Sequence, residues 1–243
     1  MRGRGRALLR LLVVQGAWSY ERMTGIGMGY AAEPLLEDLA TGAPERHREA
    51  TARAAEYFNS HPYLAGLALG AAARAEHDGV PGAQIQRLRT ALCSPLGALG
   101  DQVFWAGEVP ILMGAALAAL ALGAAWVVLP SVILVHVAAR VLVAHWALAT
   151  GLGTGMQVGT AISASWLPRA VARLASPAGF LVGLALPLAA AWLVPAGPGH
   201  PALVAGLAGA LALGVTRLGG FWSGPRVALL LAAAALAWGV ATT

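Results

Sequence analysis

No aspartate or glutamate follows Glu108. All eleven acidic side chains lie between Glu21 and Glu108, and from Val109 onward fixed charge is confined to Arg140, Arg169, Arg173, Arg217 and Arg226. A water-soluble fold needs charged groups on its outside, and ordinary soluble domains carry about 25% of them. Here 11% of the 243 residues are charged and 58% are hydrophobic. A stretch without carboxylates and nearly without cations suits a surface that faces lipid.

The formal net charge is +5, and every one of the sixteen basic residues is arginine. They are scattered except for Arg2, Arg4, Arg6 and Arg10, which argues against nucleic acid and for an anionic membrane surface near residues 1–14. There an amphipathic interfacial helix is expected rather than a cleaved leader, because no small-residue cleavage site follows Leu8–Val14. Cys93 is the only cysteine, so a disulfide or multi-cysteine metal site within one chain is excluded. No metal or other cofactor is expected. His136 and His145 fall on different faces of a helix, and no Ser–His–Asp spacing, Walker loop or catalytic carboxylate pair is readable. A stand-alone hydrolase is disfavoured, and no catalytic residue is assigned.

The pattern predicts an all-α integral membrane protein. Residues 1–108 form an amphipathic and re-entrant helical part, and residues 109–243 a hydrophobic part with about five membrane spans. In the first part 34–58 reads as amphipathic helix, with Pro44 placed to open one. Tyr63–Ala73 is too short to cross about 30 Å of hydrocarbon, 74–82 is a polar turn, and 83–93 a short helix. In the second part Pro130 divides a charge-free stretch into spans near 109–129 and 131–150. Further spans fall near 178–195, 201–217 and 226–242. The arginine-bearing connections are expected in the cytoplasm. Gly151, Gly155 and Gly159 lie on one helical stripe that would let another backbone approach, unless 151–159 is a loop.

In so apolar a chain, polar clusters are the informative residues. Gln15–Met23 carries Glu21 and Arg22, facing either a polar cavity or headgroups. Phe58–Gly66 carries Asn59 and His61 before Pro62. Either a helix break there binds a solute, or Asn59 or Ser60 caps a helix end in water. Pro95–Trp105 places a bend at Gly97 and Gly100, then Asp101, Gln102, Phe104 and Trp105. A carboxylate, an amide and an indole suit a sugar, with acceptors for hydroxyls and a ring face for stacking. A helix N-cap at Asp101 with interfacial aromatics is the alternative.

The wording and order of these clusters resemble the IID component of mannose/fructose/sorbose-type sugar phosphotransferase systems. QGAWSYERMT at 15–24 is similar to that family's QGSWNYERMQ, YFNSHPY at 57–63 to FFNTHPY, and SPLGALGDQVFW at 94–105 to GPLAGIGDxxFW, with PIL following at 110–112. The likeness covers about 7–160, and only hydropathy continues it beyond. It implies a membrane subunit in the bacterial cytoplasmic membrane that forms a hexose path with a IIC subunit. Cytoplasmic IIA and IIB proteins would supply the phosphoryl group from phosphoenolpyruvate, and no phosphorylated residue would lie on this chain. It implies Asn59, His61, Asp101 and Trp105, with Glu21, as substrate-binding residues. Three departures stand out: Val109 where the family commonly has Arg, preceded by Glu108; Ser19 for Asn; and a short connection at 195–200. They motivate an alternative, a degenerate IID-like protein that senses or regulates without transporting.

Overall fold

A computed structural model describes residues 2–121 and 123–193. The described residues are almost entirely helical, with two isolated backbone bridges and no strand among them. The helices are α1 (Arg4–Leu11), α2 (Gly25–Gly42), α3 (Pro44–Ala54), α4 (Ala65–His77), α5 (Gly82–Gly100), α6 (Val109–Ala121), α7 (Ala125–Thr154), α8 (Val158–Ala164) and α9 (Leu167–Leu193). A π-helical segment, Asp101–Glu108, joins α5 to α6 without interruption. Two apolar helical stretches, Gly82–Ala121 and Trp126–Ala185, are long and apolar enough to cross a membrane. The expected spans near 201–217 and 226–242 lie outside the described residues.

The chain divides into two compact units. The first comprises residues 2–103 and 137–171, the second 104–136 and 172 onward. In the first, α1 packs on α2 through Ala7 and Leu11. Two of its arginines turn to α2: Arg6 pairs with Glu37, and Arg10 with Glu33, its guanidinium 4.2 Å from the Tyr30 ring centroid. Two of the four arginines expected to meet anionic lipid are thus paired within the protein. Pro44 opens α3, whose fixed φ suits the first helical turn. The predicted helix over 34–58 is really two, broken at Ala43. α4 is buried on nearly every face, because α7 crosses it at backbone distance. A Cβ on Gly66 or Gly70 would come within 2.8 Å of Leu148 or 2.6 Å of Leu152, and one on Gly151 within 2.4 Å of the Leu67 carbonyl.

The expected glycine stripe therefore works at Gly151 only. Gly155 adopts φ +51° in a short 3-10 turn, and Gly159 has open space beside it. Pro130 does not divide the apolar stretch. It lies inside α7, and the break falls at Gly123, whose φ of +76° no branched residue tolerates well. In the second unit Leu181 of α9 crowds Gly114 of α6. The α7 residues Trp126, Val127, Ile133 and Leu134 of that unit are exposed, an apolar surface suited to hydrocarbon.

Candidate functional site

The three motifs converge, and backbone contacts do most of the joining. After α1 a 3-10 turn, Val14–Ala17, leads to Ser19, which exchanges hydrogen bonds with Met23. Thr24, buried, then donates to the Phe58 carbonyl twice, from its backbone N–H at 3.0 Å and its hydroxyl at 2.8 Å. Phe58 N–H in turn donates to the Arg22 carbonyl at 3.3 Å. Residues 22–24 and 57–59 thus form a two-rung parallel bridge with the Phe58 ring turned fully inward.

The second and third motifs meet at His61, which is 2% exposed. Its ring lies directly on Gly100, where an added Cβ would sit 2.1 Å from His61 Cβ and 2.3 Å from Cγ. Only glycine fits, so its presence just before Asp101 reflects close packing. The expected bend at Gly97 and Gly100 does not exist. α5 runs through both and passes into the π-helical segment, so Asp101 is not an N-cap either. π-helical turns are rare and concentrate at functional sites. This one turns Asp101 and Gln102 outward while burying Val103 and Phe104.

His61 Nδ1 accepts from the Tyr63 N–H at 3.3 Å, and the Tyr63 ring stands edge-on at 4.8 Å. Burial lowers the His61 pKa from 6.5 to about 4, so the imidazole is neutral near pH 7. With Nδ1 accepting from Tyr63, the neutral ring carries its proton on Nε2, a donor of the kind a hydroxyl oxygen accepts from. Helix α3 already ends at Ala54, so Pro62 breaks no helix, and neither Asn59 nor Ser60 caps one. Asn59, Glu21 and Asp101 are all exposed. Asn59, His61 and Asp101 are brought together through the His61–Gly100 contact, and Glu21 through the Arg22–Phe58 bond. Trp105, 48% exposed, belongs to the second unit.

The sequence reading missed the residue that holds the second motif in place. Arg89, buried in α5, donates to the carbonyls of Arg53, Ala54 (3.0 Å) and Glu56 (3.3 Å), and its guanidinium lies 5.7 Å from the Phe58 ring centroid. The last carbonyls of a helix need donors, and one guanidinium supplies several. The signal was present in the spacing: Ile85, Arg89, Leu92, Leu96 and Gly100 share the buried stripe of α5. Beside it, the buried Glu76 of α4 accepts from the part-buried Arg53 at 2.8 Å. Arg140 of α7 donates to the Leu12 carbonyl and lies 5.5 Å from the Tyr63 ring centroid. In the second unit, Glu108 lies 3.0 Å from His136 Nδ1, so the carboxylate that departs from the family pattern has a partner. Among the described residues no group of three or more His, Cys, Asp or Glu side chains is placed to hold a metal ion.

These features define a helical membrane protein with a polar cluster assembled from three distant motifs. The family model for the PTS system mannose/fructose/sorbose family IID component matches residues 3–189. The chain belongs to that family. The mannose-specific EIID component of Escherichia coli K12 is 31% identical over 117 residues, 45% of this chain and 41% of that one. The fructose permease IID component of Bacillus subtilis 168 is 32% identical over 110 residues, 42% and 40%. The matched stretch thus spans about two-fifths of the length of these curated relatives. Among solved structures, a chain of the mannose transporter ManYZ in complex with microcin E492 matches with TM-score 0.58 and 23% identity, over 75% of this chain and 69% of that chain. A structure described as a membrane protein matches with TM-score 0.64 and 22% identity, over 74% and 67%. Both likenesses are of fold.

Proposed function

We propose that this IID component serves a phosphoenolpyruvate-dependent transporter of the mannose class. It forms the hexose path with a IIC membrane subunit, while cytoplasmic IIA and IIB proteins carry the phosphoryl group. It lies as a multi-pass protein in a bacterial cytoplasmic membrane, in contact with lipid, with about five spans after residue 108. Asn59, His61, Asp101 and Glu21, with Trp105, are its sugar-binding residues.

One observation carries the reading. Three motifs far apart in sequence close on one another through Thr24–Phe58 and His61–Gly100, and the polar side chains beside those contacts are the kinds that bind hydroxyls.

Reconstitution into proteoliposomes with the matching IIC subunit and soluble IIA and IIB proteins tests it. Uptake and phosphorylation of labelled hexose should require phosphoenolpyruvate and this chain together. Uptake unchanged by omitting the chain overturns the proposal.

A further inference from the structure

The first two motifs also present exposed rings beside Glu21 and Asn59, two of the sugar residues named above. Ser19 and Met23 exchange both backbone hydrogen bonds, at 3.2 and 2.7 Å, and Met23 adopts a left-handed φ of 50°. The Arg22 N–H donates to Ser19 Oγ at 3.2 Å. Residues 20–22 are thereby held as a tight loop that carries Tyr20 outward, 86% exposed. Its ring meets Trp18 edge-on at 4.8 Å, and Trp18 is itself 47% exposed. On the bridged segment, side chains alternate between faces. Phe58 points in, so Tyr57, 51% exposed, and Asn59 point out. The Phe58–Arg22 bond sets Tyr57 alongside Arg22.

The Trp18–Tyr20 pair precedes Arg22 on the loop and Tyr57 faces it across the bridge, so three exposed rings flank a guanidinium, with a carboxylate at Glu21 and an amide at Asn59. Rings interleaved with hydroxyl-binding groups on a loop fixed by its own backbone are preorganised for a ligand that has both an apolar face and hydroxyls. A band of rings at a lipid headgroup layer needs neither the interleaving nor the fixed loop.

Resting on the hexose reading above, we propose that Trp18, Tyr20 and Tyr57 form a stacking platform for a pyranose ring. Glu21, Arg22 and Asn59 take its hydroxyls. The platform selects cyclic hexoses over open-chain hexitols, which carry similar hydroxyls but no flat C–H face.

The test is equilibrium dialysis of labelled D-mannose and D-mannitol against the IIC–IID complex in lipid nanodiscs. The wild-type complex should bind mannose about tenfold tighter than mannitol. Trp18→Ala with Tyr20→Ala should bring mannose affinity down to that of mannitol, leaving mannitol binding and the melting temperature unchanged. Tyr20→Phe, which keeps the ring, should keep the preference. A mannose-to-mannitol ratio unaltered in the double variant overturns the platform while leaving the hexose reading intact. So does a double variant that loses only membrane insertion or complex recovery, since the rings then serve lipid or subunit contact. A wild-type complex that binds neither sugar overturns the hexose reading, and the platform with it.

Discussion

Substituting alanine at two glycines of one helix separates the packing of the motifs from the helix that carries them. Gly97 and Gly100 both lie in α5, and a Cβ at Gly97 meets nothing within 4 Å. Gly97→Ala should therefore gain what alanine gains over glycine inside a helix, about 1 kcal/mol. Gly100→Ala gains the same but places Cβ 2.1 Å from His61 Cβ, against 3.4 Å or more in ordinary contact. His61 or α5 must move by about 1.3 Å, and His61 is too buried to swing into open space. Forcing an extra methyl into a packed site costs about 1–3 kcal/mol. The two variants thus differ by that amount, equivalent to a melting temperature about 2–12 °C lower for Gly100→Ala in a protein of this size. Differential scanning fluorimetry in detergent reads the stability, and proteoliposome uptake reads the function. Gly97→Ala should match wild-type uptake, and Gly100→Ala should lose it. If Gly100→Ala is as stable and active as Gly97→Ala, the second and third motifs do not pack as described.

Three further outcomes follow from the same contacts. Asp101→Asn should abolish hexose uptake while the IIC–IID complex is recovered in normal amount, as judged by co-purification. Arg89→Met should destabilise the protein by about 3 kcal/mol, because it strips donors from three carbonyls at the end of α3, and thermal melting checks it. His61 lies outside the two apolar stretches, and its depressed pKa makes stability depend on pH. Between about pH 6.5 and 4 the unfolded chain binds a proton that the folded chain does not, so stability present above pH 6.5 is lost as pH falls through this window. The loss amounts to about 3 kcal/mol, and melting curves from pH 7.5 to 4.5 should flatten in His61→Gln.

What the sequence showed and hid divides along physical lines. Hydropathy and the missing carboxylates after Glu108 read directly as helices for a membrane, because lipid acts on composition. Pro44 as a helix start was legible because its φ is fixed locally. The break at Gly123 rather than Pro130 was not. A proline inside a long helix costs one backbone bond that neighbours can re-satisfy, while a left-handed glycine ends the helix outright. Gly97 and Gly100 resembled a bend because glycine favours turns, yet one is merely tolerated and the other makes room for His61. Arg89 was passed over, since its role depends on carbonyls more than thirty residues away. The motif residues stood out as polar points in an apolar chain, but their meeting is tertiary, and no local spacing encodes it.

A hexose bound beside residues 15–24, 57–63 and 94–103 should be felt by all three segments together. Hydrogen–deuterium exchange on the IIC–IID complex in nanodiscs, with and without saturating D-mannose, tests it most directly. Slowed exchange is expected in all three segments together, with α8 unchanged. Exchange in these segments that is indifferent to sugar, while the complex demonstrably binds it, would place the sugar site elsewhere.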